Sequence, residues 1–325
     1  MRKTIALIYG GDSSELEISI KSGKHIASHI DCSRYEVYEV MIVGKEWIVI
    51  TEEGSKYDID KSDFSFLLPV EGGGHKRVRF DKCLIMIHGT PGENGLLQAY
   101  FEMIGMEFTT CNALVSAITF DKHACKCYIR DTGVNMPGEW FLRRGASYDT
   151  AKIVEKLALP LFVKPNNGGS SFGATKVERE GDLAMAIEKA FLEDDTVLVE
   201  EYLAGREFTN GVYEHNGKLV RLPVTEIISD NDFFDYDAKY LGASKEICPA
   251  EIDSAKSDEI IDISHRLYSY LGCRGVVRFD YIMRDGQIYF LEVNSVPGMT
   301  EMSLVPQQIR TAGMTVKEFL NQLIG

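Results

Sequence analysis

The chain has 325 residues, 45% of them apolar and 26% charged, and its 49 acidic against 35 basic side chains leave a formal net charge of −14. That length and apolar share describe a folded globular protein of two domains or three small ones. So acidic a chain repels phosphodiester backbones and anionic lipid, and no apolar run approaches the roughly 20 residues that span a bilayer, so neither nucleic acid nor membrane is an expected partner. Any phosphate-bearing ligand must instead be met by a local cluster of lysine, arginine, metal and backbone N–H. Seven cysteines, an odd number with no C-x-x-C pair, read as the reduced thiols of a cytoplasmic protein.

Residues 4–9 form a continuous apolar run closed by Gly10 and Gly11, the pattern of a parallel strand buried on both faces. The run is too short for a secretory leader. Ser14, Glu15, Leu16 and Glu17 make a capping box, and Leu16, Ile20, Gly23, Ala27 and Ile30 follow at helical spacing. Residues 35–42 alternate as a strand, residues 47–51 add a short β insertion, and residues 83–87 form another apolar strand ending at His88. Leu96, Leu97, Tyr100, Phe101 and Ile104 form a helical stripe. This order gives an open α/β layer over residues 1–110.

Residues 112–120 and 122–131 read as two helices, closed by Gly133 and Pro137. A strand at 161–164 leads through a Gly/Ser-rich loop, 165–173, into a second strand at 174–177. A helix bearing Leu183, Ala186, Ile187, Ala190 and Phe191 follows, then a strand at 196–202. Beyond residue 200 strands dominate, joined by the loop 229–248, with one long helix near 254–271. Three unequal pieces, 1–110, 111–199 and 200–325, fit this order better than two halves.

Four constellations carry chemistry. Small residues at 168–173 let backbone N–H groups approach an anion, and Lys164 precedes them. The loop is no P-loop, since no G-K-[ST] follows, and alone it fits a plain glycine-rich hairpin equally well. Arg278 and Asp280 share one strand face by the two-residue period, as do Glu292 and Asn294 on the next strand. Carboxylates and an amide beside a phosphate loop are the oxygen donors that Mg²⁺ takes when it holds nucleotide phosphates. Glu200, Glu201 and Leu203, followed by Glu207, offer backbone and acid to a base and a ribose. Glu15 at a helix start and His88 at a strand end lie where open α/β sheets bind ligands.

Taken in order, these segments resemble the ATP-grasp superfamily and, within it, the D-alanine–D-alanine ligases. The series runs through Gly10, Gly11, Glu15 and Ser19, then His88 to Gly95, Asp121-Lys122, Lys164 to Gly173, Phe233 to Tyr240, Arg278-Phe279-Asp280, Glu292-Val293-Asn294 and Pro297 to Thr300. The resemblance implies a three-domain α/β and α+β fold, an N-terminal α/β layer followed by two α+β subdomains that sandwich ATP. It implies ligation of two D-alanines through an acyl phosphate, with ATP and two Mg²⁺ or Mn²⁺ ions, by a cytoplasmic homodimer.

Carried over residue by residue, Lys122, Lys164, Ser170 and Ser171 would hold phosphates. Glu200, Glu201 and Leu203 would meet adenine, and Glu207 the ribose. Asp280, Glu292 and Asn294 would ligate metal. Glu15 and His88 would place the first D-alanine, and Ser303 and Leu304 the second carboxylate. Arg278 and the N–H of Gly298 would form an oxyanion hole, with Ser170 and Tyr240 in the catalytic set and Lys239 against substrate. Tyr240, where depsipeptide-forming relatives tend to carry His, favours the dipeptide. Leu16, Asn94 and Ser295 depart from the usual Arg, Asp and Thr.

Metal binding sets a parity condition on the last two strands. A two-residue turn at Asp285-Gly286 would set Asp280 opposite Leu291 and send Glu292 to the wrong face. The sequence therefore predicts a three-residue loop, 284–286, or a bulge, with Gly286 at positive φ.

Overall fold

The computed structural model describes residues 2–51, 53–229 and 244–325. Three sheets form in chain order. The first has seven strands, β1 (Lys3–Gly10), β2 (Tyr35–Val43), β3 (Glu46–Ile50), β4 (Lys56–Asp60), β5 (Ser65–Pro69), β6 (His75–Arg79) and β7 (Lys82–Ile85), in the order β6-β5-β4-β3-β2-β1-β7. β1 lies parallel to both β2 and β7, which is why its residues 5–10 are all buried and its apolar run is unbroken. The expected β insertion extends into an antiparallel meander, β3 to β6.

Helix α1 (Leu16–Ala27) makes the crossover from β1 to β2. Its start differs from the expected capping box: Glu15 is the N-cap, and no side chain caps the helix. The Ser13 hydroxyl instead accepts from the Glu15 N–H and donates to His88 O, which leaves the Glu15 carboxylate for other partners. Helix α2 (Leu96–Ile104) follows the first sheet, and α3 (Ala113–Phe120) and α4 (Lys122–Ile129) lead out of it. Asn112 and Asp121 cap these two by accepting from Val115 N and Ala124 N.

The second sheet is antiparallel, β10 (Thr175–Val177), β9 (Leu161–Pro165), β11 (Thr196–Glu201) and β8 (Glu139–Arg143), in that spatial order. Helices α5 (Thr150–Leu157) and α6 (Glu180–Ala190) contribute Ile153, Leu183 and Ile187 to its core, against Val163 and Val197.

The third sheet contains β12 (Arg206–His215), β13 (Lys218–Arg221), β14 (Thr225–Ser229), β15 (Ser244–Ile247), β16 (Val277–Arg284) and β17 (Gln287–Asn294). Helix α7 (Ser254–Leu271) occupies the interval expected from sequence and packs Ile260 and Leu267 with Phe279, Tyr281 and Phe290. Two last helices, α8 (Leu304–Thr311) and α9 (Val316–Ile324), bury Val305, Ile309, Val316 and Phe319 with Ile5, Leu7 and Tyr9 of β1. The end of the chain thus closes the core of its beginning, and Lys3 Nζ donates to Gly325 O at 2.7 Å. No helix among the described residues is long and apolar enough to cross a membrane.

The β16–β17 hairpin meets the parity condition by one of the two expected routes. Its turn is a regular two-residue one, Asp285 and Gly286 at φ 52° and 75°, pairing Arg284 with Gln287. The three-residue loop does not form, because Asp-Gly supplies the left-handed pair that this turn needs. The correction comes at a bulge: Tyr281 pairs with Phe290 but Asp280 with Glu292, so Leu291 is the extra residue. Arg278 then pairs with Asn294, and all four polar side chains share a face.

Candidate active site

Two adjoining cavities, about 760 and 300 Å³, open where the three sheets converge. Glu15, Lys122, Ser170 and Glu292 line both.

One wall of the larger cavity is rich in lysine. Lys122 and Lys126 lie on the buried stripe of α4, Lys164 on β9, and Glu200 on β11. Glu200 is 2% exposed and sits between two ammonium groups: Lys126 Nζ donates to Oε1, and Lys164 Nζ lies 2.8 Å from Oε2. Burial alone would raise the Glu200 carboxyl, but Lys126 and Lys164 outweigh it and hold it below the usual range. Burial would likewise lower Lys164, but Glu200 and Glu292 outweigh it and hold it above. Lys122 Nζ donates to Gly168 O at 2.7 Å and lies 3.6 Å from Glu292 Oε2. Each ammonium group is matched by a carboxylate, Glu200 shared by Lys126 and Lys164, Glu139 3.7 Å from Lys126 and Glu292 3.6 Å from Lys122, so the cluster is close to neutral as a whole.

The Gly/Ser loop joins β9 to β10 and closes over Glu15. Ser170 and Ser171 take left-handed backbone, φ 52° and 57°, and Ser170 Oγ donates to Glu15 Oε1 at 2.6 Å. At Gly169 a Cβ would lie 2.7 Å from Glu15 Oε2, so a side chain there would push the Glu15 carboxylate out of its place under the loop. Glu201, Leu203 and Glu207 complete this cavity beside Glu200.

The opposite wall is the bulged hairpin. Asp280 accepts from Arg278 through both oxygens, Nε to Oδ1 at 2.9 Å and Nη2 to Oδ2 at 2.8 Å. Thr209 Oγ1 and Asn294 Nδ2 also donate to it, at 2.6 and 3.0 Å. Asp280, Glu292 and Asn294 form an all-oxygen donor set on one face, facing the lysines, and fit a hard divalent cation.

His88, Arg278, Asn294, Gly298, Ser303 and Leu304 line the smaller cavity. His88 is anchored on both ring nitrogens, Nδ1 2.7 Å from Val296 O and Nε2 3.0 Å from Ser22 Oγ. Its pKa is lowered, because burial outweighs the Glu15 carboxylate. Ser303 is the N-cap of α8, and its Oγ accepts from Thr300 N at 3.0 Å.

Every described residue given a site role from sequence thus lines one of the two cavities. Lys239 and Tyr240 lie outside the described residues. Two charged groups were not anticipated. Lys126 is 3% exposed, and its signal was a lysine at i+4 from Lys122 and i+1 from Cys125 on an otherwise buried stripe. Glu93 is buried, and it accepts from Gly89 N at 3.0 Å and Val296 N at 3.3 Å, tying the first sheet to the loop after β17. Burial, reinforced by Glu15, pushes its carboxyl up to about 7.

Comparison with known proteins covers the whole chain. Residues 4–111 match the family model described as D-ala D-ala ligase N-terminus, and residues 129–325 the one described as D-ala D-ala ligase C-terminus. The chain is 45% identical to the D-alanine–D-alanine ligase of Phocaeicola vulgatus, over 100% of this chain and 99% of that one. It is also 45% identical to the ligase of Parabacteroides distasonis, over 100% and 97%. Among solved structures, the VanG D-Ala:D-Ser ligase from Enterococcus faecalis superposes with a TM-score of 0.88 at 32% identity, over 100% and 99% of the two chains. The D-alanine–D-alanine ligase from Bacillus anthracis, complexed with ATP, gives 0.78 at 27% identity, over 99% and 96%.

Proposed function

Because the chain belongs to the D-alanine–D-alanine ligase family, we propose that its two adjoining cavities divide the work of one ATP-dependent ligation. The protein joins two D-alanines into D-alanyl-D-alanine for cell-wall synthesis, using ATP. A carboxylate is a poor acyl donor, so the larger cavity holds ATP and the smaller one brings a D-alanine carboxylate to its γ-phosphate. Attack there gives an acyl phosphate and ADP. The amine of the second D-alanine then attacks the acyl carbon, and inorganic phosphate leaves.

In this scheme Lys122, Lys164 and the 168–173 loop hold phosphates, while Glu200, Glu201 and Leu203 border the base and Glu207 the ribose. Glu15 receives the ammonium of the first D-alanine, and the hydroxyl of Ser170 keeps that carboxylate oriented. His88, neutral and anchored on both nitrogens, fixes the same subsite. Arg278 and the N–H of Gly298 neutralise the oxygen that becomes negative at the tetrahedral stage. Ser303 and Leu304, at the start of α8, take the second carboxylate, where a helix N-terminus favours an anion. Asp280, Glu292 and Asn294 would hold Mg²⁺ or Mn²⁺, and ions bound there supply charge neutralisation to the phosphate oxygens. Lys239 and Tyr240 complete the substrate side from the 229–248 segment, as the family resemblance implies.

The observation that carries this reading is the convergence of a lysine-rich wall and an oxygen-donor wall on one cavity that shares Glu15 and Ser170 with its neighbour. Seven unpaired cysteines support a reducing, cytoplasmic setting, and a homodimer follows the family resemblance. The test is phosphate release from ATP with Mg²⁺ across D-alanine, D-serine, D-lactate and L-amino acids. D-Alanine alone should support turnover and give the dipeptide. Turnover confined to L-amino acids would sink the reading, and preference for D-lactate or D-serine at the second position would revise the acceptor.

A further inference from the structure

Helix α4 turns Lys122 and Lys126 inward, and it carries His123 and Cys127 four residues apart, so that these two stand one above the other. Their side chains meet, with His123 Nε2 3.6 Å from Cys127 Sγ. On the other side of the ring, Nδ1 lies 2.5 Å from Glu139 Oε1 on β8. The ring also stacks on Phe141, centroids 4.4 Å apart and planes 13° from parallel. A carboxylate only accepts, so in the neutral ring Nδ1 carries the proton and Nε2 faces the sulfur with its lone pair.

This spacing is that of a metal clamp. Zinc binds imidazole nitrogen at about 2.0–2.1 Å and thiolate sulfur at about 2.3 Å, and a tetrahedral angle between them separates N and S by roughly 3.6 Å. The observed gap matches that separation. Arg130 Nη2 lies 3.5 Å from the same sulfur. One ligand atom from each of His123, Cys127 and Glu139 lies within 4.8 Å of the others. The second oxygen of Glu139 is buried, accepts no hydrogen bond among the described residues, and faces Lys126 Nζ at 3.7 Å. Cys127 is exposed and His123 partly so, which leaves the remaining coordination positions to water. None of the three residues lines either cavity.

We propose that His123 and Cys127, with Glu139 orienting the ring, bind one thiophilic divalent cation, Zn²⁺ above all, at a site separate from the reaction. Binding exchanges a proton for the metal. The S–H bond breaks, S–metal and Nε2–metal bonds form, and the proton goes to solvent, so affinity rises with pH. Mg²⁺, which takes oxygen ligands, does not compete.

Co²⁺ is the probe, added to the full-length protein in the presence of excess Mg²⁺. One equivalent should give a thiolate-to-cobalt charge-transfer band in the near ultraviolet, which Zn²⁺ then removes. Cys127→Ser should abolish the band, and His123→Ala should abolish it or weaken cobalt binding by about 10-fold or more. Cys32→Ser, at another exposed cysteine, should leave it intact. Ligase turnover should stay near the wild-type value in all three variants, which separates loss of the site from loss of the fold. No band in the wild type, a band that survives Cys127→Ser, or a band lost with Cys32→Ser would overturn the proposal.

Discussion

The lysine wall and the hairpin wall of the larger cavity both neutralise their own charges, but over different spans of the chain. On the lysine wall, Lys126 of α4, Lys164 of β9 and Glu200 of β11 meet across 74 and 36 residues of sequence, Lys126 and Glu200 buried and Lys164 partly so. On the hairpin wall, Arg278 and Asp280 are two residues apart on one strand, and both are only partly buried. A long-range buried cluster is part of what holds helix to sheet. A pair within one strand can open toward a ligand while the strand stays where it is. The lysine wall should therefore report on stability and the hairpin wall on chemistry.

Removing Glu200 gives the largest expected effect. Glu200→Ala leaves buried Lys126 and partly buried Lys164 without their shared carboxylate and should cost about 3–5 kcal/mol of stability. Urea unfolding at fixed pH measures it, and a loss under about 1 kcal/mol would erase the distinction between the walls.

Arg278→Met is the converse probe. It should lower turnover by about 10²–10³-fold, the cost typical of losing one oxyanion donor, while ATP still binds. Asp280 keeps Thr209 and Asn294 as donors, so stability should fall by less than half of the Glu200→Ala loss. Near-normal turnover would reduce Arg278 to a structural partner of Asp280.

Glu93 sharpens the comparison, because it is a buried carboxylate with two backbone donors and no salt bridge among the described residues, Arg278 acting on it only as a weaker, through-space charge. Its folded pKa of about 7 lies above its unfolded value, so between about 4.5 and 7 the folded state binds the extra proton. Stability from this group is complete below that window and is lost as pH rises through it, by about 3 kcal/mol at most. The difference in unfolding free energy between wild type and Glu93→Gln, followed from pH 5 to 8, isolates the titration, since glutamine contributes a pH-independent offset. A flat difference would mean that Glu93 ionises as it would in water.

What could be read from the sequence tracks how strongly burial shapes local pattern. β1 and α7 were legible because an unbroken apolar run and an 18-residue amphipathic stripe have few other meanings. The meander β4 to β6 was not, since a strand such as β6 buries only Val78 of its five residues and so carries little period. α5 and β8 were missed for the same reason, each being short with one well-buried residue. Within the site, the donors of the hairpin were legible by strand parity, and so was the need for an irregularity. Its place at Leu291 was not, because Asp285-Gly286 satisfies its own turn and passes the mismatch along the strand. Lys126 and Glu93 escaped because a charged residue in an apolar stripe or a glycine-rich turn says nothing about which distant partner it meets. Glu200 and Val296, the distant partners, come from the second sheet and from the loop that follows the third.

The seating of α9 under β1 has a consequence for the chain as it is being made. Ile5, Leu7 and Tyr9 leave the ribosome about 310 residues ahead of Phe319, Leu320 and Ile324, which share their core cluster. At about 5–20 residues per second, that face of the first sheet waits on the order of ten seconds or more for its cover. Over that interval the nascent first layer exposes an apolar surface whose partners, from Tyr213 to Ile324, are not yet made, and such a surface is what a chaperone that shields apolar surfaces would bind. Translational pauses late in the message would lengthen that exposure, and truncation before α9 would make it permanent.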